Sequence, residues 1–195
     1  DVLEGLRQPL EDGRVQITRT QGRLTLPARF LLIAAMNPCP CGYATDGQIA
    51  CLCSAHEVQR YQRRVSGPIL DRFDLHVSVP RLSRAELLQE TRAESSTVVR
   101  ERIKAARQRQ NQRFGSETRL NSMIKGSEVK RYCQLDSAAQ ALAERAIESY
   151  ALSARAYHKL LKVARTIADL DTNFDTIKRQ HLAEALQYRL PPELR

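Results

Sequence analysis

One stretch restricts the possible folds more than any other: FLLIAAMNPCPCGYATDGQIACLCSAHEVQRYQRRVSGPILDRFDLH, residues 30–76. Its opening run, Phe30 to Met36, is apolar throughout and stops abruptly at Asn37-Pro38. A continuous apolar segment between punctuating residues reads as a strand buried on both faces of a parallel sheet. Open α/β sheets gather their ligands at the carboxyl ends of strands, so Asn37 stands where chemistry is expected. Four cysteines follow at once, and SGPILDRFDLHV then reads as a helix end and a further strand, Leu75 to Val79. The strand-tip Asn37, the cysteine cluster and the Asp71-Arg72 pair are the features the remaining sequence supports.

Cys39-Pro40-Cys41 and Cys51-Leu52-Cys53 are two CxC pairs separated by nine residues. Zinc takes four soft ligands at the corners of a tetrahedron, and paired cysteines on two tight turns supply them. Gly42 gives the first turn the backbone freedom to wrap toward a metal. His56 is an alternative ligand to one of the cysteines. Four reduced thiols in a loop are the competing reading. A complete set of cysteine ligands leaves no open coordination position, so the metal would be structural. The fifth cysteine, Cys133, stands alone inside a helical pattern and reads as a small buried apolar residue.

The 195 residues suffice for one good core or two small ones. Aromatic residues are few and Trp is absent, which favours helices packed by aliphatic side chains beside a modest sheet. The formal net charge of +9 points to an anionic partner: nucleic acid, nucleotide phosphate or acidic lipid. Arginine spread over solvated helix faces gives the same number. No run approaches the roughly 20 apolar residues that span a bilayer, and no signal peptide is visible. The sequence opens on Asp1 in mid-element and reads as a piece of a longer protein. Crowded cysteines without secretory features fit a cytoplasmic metal site.

Taken in order, Val2, Leu3, Leu6 and Leu10 lie on one face of a helix that Pro9 should end or kink. Asp12-Gly13 is a turn signal. RVQITRTQGRLTLP, residues 14–27, alternates as a hairpin with Gln21-Gly22 at its tip, carrying Arg14, Arg19 and Arg23. Those arginines suit a basic finger that touches phosphates, or an ordinary solvated hairpin. Residues 55–64 read as a helix broken by Ser66-Gly67-Pro68, with a short helical turn over Ile69 to Phe73. Helices are expected over 83–91, 95–113, 127–133, 136–150, 153–169 and 178–189, stopped by Pro191-Pro192. The helix RERIKAARQRQNQRF carries a thin apolar stripe and should be exposed along most of its length. Asp136 and Ser153 are suited to N-cap the helices they precede. Leu160, Leu161, Ala164 and Ile167 form an apolar stripe, as do Leu182, Leu186 and Tyr188. The character changes near residue 90, giving an α/β part over 1–90 and an all-α part over 91–195.

Three further residues are candidates for chemistry. The Asn37 amide can orient a water or a phosphate oxygen, or simply form a turn before Pro38. Arg72, on a short helix, can pair with a carboxylate such as its neighbour, or serve as an arginine finger on an adjacent subunit. Arg155, in the first turn of its helix, can combine with the helix dipole to hold a phosphate. No GxxxxGK[ST] loop is present, and no apolar run ends in paired acids. These residues by themselves should therefore not turn over nucleotide. The four histidines are scattered, and none lies beside a nucleophile.

The order of these pieces resembles the AAA+ ATPases, specifically the magnesium-chelatase-like branch and its bacterial ComM/YifB group. The resemblance rests on VLEGLRQPLEDG, LPARFLLIAAMNPCPCG, SGPILDRFDLHV, LSARAYHKLLKVARTIADL and HLAEALQYR, and covers essentially the whole sequence. It implies the rear part of an AAA+ α/β core followed by a helical lid, with the Walker A and Walker B elements elsewhere. Asn37 then matches sensor 1, Arg72 the arginine finger, Arg155 sensor 2, and residues 14–26 a presensor β-hairpin directed at DNA. The resemblance further implies a hexameric ring that uses ATP and Mg2+ to drive a DNA helicase. Its role would be branch migration in natural transformation and recombination. A motor that inserts magnesium into a porphyrin is the rival within the branch, although chelatase motors lack the NPCPCG cysteines. A zinc-stabilised binding module without ATPase activity is the rival outside it.

Overall fold

The computed structural model describes residues 3–20, 22–88, 93–171 and 175–189. Val2, Gln21, the end of the helix expected over 83–91, the boundary near residue 90 and Pro191-Pro192 lie outside them. The described residues form two compact units, one up to Ser83 and one from Arg84 to Arg189.

The first unit opens with a 3₁₀ turn, Glu4–Leu6, that runs into α1, Arg7–Asp12. Pro9 does not end this helix. It is the third residue of α1, among N–H groups that have no intrahelical acceptor, so its missing donor removes no bond. The helix ends one turn later at Gly13, whose φ of 65° is left-handed and whose N–H donates to Pro9 O at 2.9 Å. A Cβ on Gly13 would lie 3.1 Å from Arg29 Cγ, so both conformation and space select glycine here.

Strands β1, Arg14–Arg19, and β2, Gly22–Pro27, form the expected hairpin, with Arg19 opposite Gly22 and Val15 opposite Leu26. Directly opposed residues share a face of an antiparallel ladder. Val15, Ile17, Leu24 and Leu26 therefore make one face, and Arg14, Gln16, Thr18, Arg23 and Thr25 the other. β2 is exposed along its whole length. A lone two-stranded ribbon is marginal by itself, and Gly13 O tethers its base by accepting from Ala28 N at 2.8 Å.

The two strands expected over 30–36 and 75–79 are not strands among the described residues. Both segments lack a ladder, and the only sheet described is β1–β2. Leu31 (85%), Ile33 (82%) and Val79 (87%) are largely open to solvent. Their apolar composition is β-like, but a parallel strand needs neighbouring strands, and no described segment provides them. The first unit is thus a hairpin plus short helices, α2 (Ala55–Gln62) and α3 (Gly67–Leu70), rather than a doubly covered sheet.

The described residues of the second unit carry the helices α4 (Arg84–Leu88), α5 (Ser96–Phe114), α6 (Val129–Tyr132), α7 (Ser137–Ser149), α8 (Ala154–Asp171) and α9 (Arg179–Gln187), with one parallel bridge between Leu135 and Ile177. Asp136 caps α7 by accepting from Ala139 N at 2.7 Å, and Ser153 Oγ accepts from Ala156 N at 3.2 Å. The predicted α8 stripe is buried, and with Ile124, Val129, Cys133, Ile177 and Leu182 it forms one core. Each such aliphatic side chain contributes about 1.5–3 kcal/mol, so this core, not the exposed hairpin, carries most of the stability.

Within that helical packing lies a buried polar cluster. Arg165 and Asp169, one turn apart on the inward face of α8, are each about 1% exposed and pair at 3.1 Å. Arg113 of α5 grips the same carboxylate with two nitrogens, one at 2.8 Å from Oδ2. Asn121 Nδ2 donates to Asp169 Oδ2 at 2.7 Å, and Arg109 donates to the Asp169 carbonyl. Burial pushes the Arg165 guanidinium down from its ordinary value, while the Asp169 charge opposes that shift. α5 and α8 are thereby clamped at a fixed register.

Candidate functional site

The four clustered cysteines are the one predicted constellation that the fold assembles completely. Pro40 and Gly42 turn the backbone tightly: Gly42 has φ 86° and donates to Cys39 O at 3.1 Å. The intervening loop is closed by Asp46, whose carboxylate accepts from Gln48 N at 2.7 Å and Ile49 N at 3.0 Å. Ser54, directly after Cys53, caps α2 in a capping box with Glu57, and Gln62 at its far end donates to Pro38 O at 3.2 Å. Both CxC pairs are thus tied to one helix.

The Sγ atoms of Cys39, Cys41, Cys51 and Cys53 all lie within 4.8 Å of one another, three of the separations being 3.3, 3.5 and 3.7 Å. Four sulfurs at about 2.3 Å from a tetrahedral zinc stand about 3.8 Å apart, so the donor set fits that ion. The thiols are electrostatically coupled. Hydrogen bonds from the Tyr43 and Leu52 amides bring Cys41 down to about 6. Cys53 receives a lowering hydrogen bond from the Cys41 backbone. Burial and the Cys41 and Cys39 thiols outweigh it and push Cys53 up to about 12. The Cys41 thiolate therefore forms more readily than that of Cys53. His56 is exposed and is not among the clustered donors.

Asn37 immediately precedes this knuckle and is exposed at the end of the extended run. Arg72 follows α3 and is largely covered, with a side-chain exposure of 17%. Its Nη2 pairs with Glu11 at 2.6 Å, its Nη1 donates to Pro68 O at 2.6 Å, and its Nε donates to Arg7 O at 3.2 Å. One carboxylate it meets is Glu11 of α1, a contact that no local pattern signals. Glu4 holds the same corner together, pairing with Arg7 at 2.7 Å and accepting from the Ser66 hydroxyl at 2.5 Å.

Arg155, the second residue of α8, is exposed in its first turn. On the hairpin, Arg14 and Arg23 share the polar face, where Arg23 donates to Gln16 Oε1; Arg19 falls on the opposite face near the tip. Cys133 is buried in the helical core, as its setting implied, and burial pushes its thiol up to about 11.

Comparison with known proteins assigns both units to one lineage. The family model described as magnesium chelatase, subunit ChlI, matches residues 1–87. Its C-terminal companion, magnesium chelatase, subunit ChlI C-terminal, matches residues 93–189. The chain belongs to the magnesium chelatase ChlI-like family. Within it, the sequence is 44% identical to competence protein ComM of Haemophilus influenzae over 190 residues, and 43% identical to YifB of Escherichia coli over 189. Each alignment takes in 96% of this chain and 36% of the relative. A Mycobacterium tuberculosis family member is 40% identical over 169 residues, 86% of this chain and 33% of that protein. This chain thus spans about a third of the length of these curated relatives. No described helix is long and apolar enough to cross a membrane.

Proposed function

We propose that this chain is part of an AAA+ ATPase that drives DNA branch migration, acting in the cytoplasm as a hexameric ring with ATP and Mg2+. The observation that carries the reading is the similarity to a competence protein along both units, with the two chelatase-subunit family models matching in sequence order. On this reading residues 1–90 belong to the AAA+ α/β core and residues 91–195 form the linker helix and lid. Asn37 is sensor 1 and orients the attacking water. Arg155 is sensor 2 and brings the helical unit onto the nucleotide phosphates. Arg72 is the finger that reaches ATP in a neighbouring subunit. Arg14, Arg19 and Arg23 present the hairpin to DNA, with Arg14 and Arg23 engaging phosphates together because they share a face. Cys39, Cys41, Cys51 and Cys53 hold a structural zinc that fixes the loop following Asn37.

Arg72 is bound to Glu11 in this structure. A guanidinium that grips a carboxylate can grip a phosphate with the same fork, so finger function requires an exchange of Glu11 for the γ-phosphate. The same observation favours a second reading, in which Arg72 is a purely structural clamp and the chain is a zinc-stabilised binding module. DNA-stimulated ATP hydrolysis by the full-length protein separates the two. Under the motor reading, Arg72→Ala lowers turnover by about 10³-fold or more while ATP binding persists, because the finger acts on charge that develops in the transition state. Turnover equal to wild type, with the thermal midpoint of the first unit lowered, would establish the clamp. Without its partners this chain is expected not to hydrolyse ATP, since its sequence has no phosphate-binding loop.

A further inference from the structure

Helix α5, the linker helix of the motor reading, has no ligand contact assigned to it there, yet it concentrates charge to an unusual degree. Its 19 residues, Ser96–Phe114, carry Arg100, Arg102, Lys104, Arg107, Arg109 and Arg113 against a single acid, Glu101. The cations divide by direction. Arg109 and Arg113 turn inward to Asp169 and fix the C-terminal half of the helix to α8. The N-terminal half is free of such packing, and Val98 (53%) and Ile103 (47%) on it are exposed.

Along that half runs an open groove of about 520 Å³ lined by Glu94, Val99, Arg100, Ile103, Lys104 and Arg107, together with the amides of Gln108 and Asn111. Positions 100, 104 and 107 fall on one side of a helix of about 3.6 residues per turn. Arg100 and Arg107 are exposed, and no ion pair is described for either. Among the described residues Lys104 pairs with Glu101, at 2.7 Å with both side chains more than half exposed, and Arg102 with Glu94, at 3.0 Å. Exposed pairs of this kind contribute about 0–1 kcal/mol, so they exchange easily for a stronger anion.

We propose that this face of α5 is a second nucleic-acid contact, which binds the phosphate backbone of DNA independently of the hairpin. A helix rises about 1.5 Å per residue, so Arg100 to Arg107 spans about 10.5 Å. That matches about three phosphates of one strand at about 3.4 Å each along the duplex axis. Gln108, exposed beside them, adds an amide donor of the kind that positions a protein on phosphate and sugar. Among the described residues Glu94 is the one acid lining the groove, and the charge of Arg102 beside it offsets its own. A row of planar guanidiniums and amides without a free carboxylate suits a polyanion better than an acidic peptide, which would seek more apolar surface than Val99 and Ile103 offer. The inference shares its partner with the motor reading, but the two can fail separately.

The test is fluorescence anisotropy of labelled mixed-sequence DNA, single-stranded and duplex, with the 195-residue chain across a salt series. The Arg100→Glu/Arg107→Glu variant is compared with Arg14→Glu/Arg23→Glu, and circular dichroism confirms that each is folded. Loss of two phosphate contacts lowers the slope of log affinity against log salt by about two, and affinity at moderate salt falls at least tenfold. Unchanged affinity and slope in the α5 variant overturns the proposal; if the hairpin variant alone loses binding, the motor reading stands without it. Loss in the α5 variant alone supports the proposal and removes the hairpin from DNA contact. An acidic helical peptide whose binding is lost in the α5 variant, while DNA binding persists, would make the face a protein-docking surface and likewise overturn it.

Discussion

Asp169→Asn measures how much the buried cluster does for the helical unit. The wild-type carboxylate is fully buried and neutralises Arg165, itself about 1% exposed, while also receiving Arg113 and Asn121. An amide retains the shape but discards the charge, and it places N–H donors against other donors. Removing one member of a buried ion pair costs about 3–5 kcal/mol, because the remaining charge loses its counter-ion without gaining water; the Asp175 carbonyl that Arg165 Nη1 also meets, at 2.8 Å, carries no compensating charge. For a domain of this size about 1 kcal/mol shifts the midpoint by about 4–8 °C, so a loss of about 12 °C or more is expected. The assay is thermal unfolding followed by helical circular dichroism. A second variant, Arg165→Met/Asp169→Leu, should recover most of the loss, since Arg113 at 18% exposure can turn toward solvent. A shift below about 4 °C in Asp169→Asn, or a double variant no more stable than the single one, would refute the argument that an Arg165 charge deprived of its Asp169 counter-ion is what destabilises.

Elemental analysis of protein purified without added metal should find one equivalent of zinc, and Cys39→Ser should abolish it, because Cys39 is the fully buried member of the donor set. A metal-free wild type that unfolds with an unaltered midpoint would exclude a structural ion. The pH dependence of the helical unit follows from two carboxylates. Glu128 is held low by its hydrogen bonds from Arg119, and Asp171 by its hydrogen bond with His181. Groups whose folded values are depressed stabilise fully above the unfolded value, and that stability is lost as pH falls through the folded one. Stability should therefore be level above about pH 5 and decline below about pH 4, with a shallower decline in Glu128→Gln. An identical slope in that variant would remove Glu128 from the account.

What the sequence made legible was local. The α7 and α8 caps, the α8 stripe, the hairpin and the clustering of the four cysteines each depend on residues close in sequence, where spacing and turn chemistry decide the outcome. Arg72 shows the limit. Its acid partner Glu11 lies 61 positions away, whereas the local sequence offers only Asp71 and Asp74. The Arg165–Asp169 pair stands in plain view at helical spacing, yet its burial does not follow from that spacing, because charges on a helix are ordinarily on the wet side. Pro9 misleads because the helix boundary belongs to the glycine that ends the turn, not to the proline before it. The segments 30–36 and 75–79 mislead for a different reason. Strand character is a property of a pair, and composition describes only one member of it.

Those two segments have a consequence for anyone handling the protein. Each exposes branched aliphatic side chains such as Ile33 and Val77 on backbone that belongs to no ladder among the described residues, a combination that favours association between copies. Isolated in solution, this chain is therefore expected to pair through them. Its tendency to self-associate should rise with concentration and subside once complementary strands lie alongside both segments.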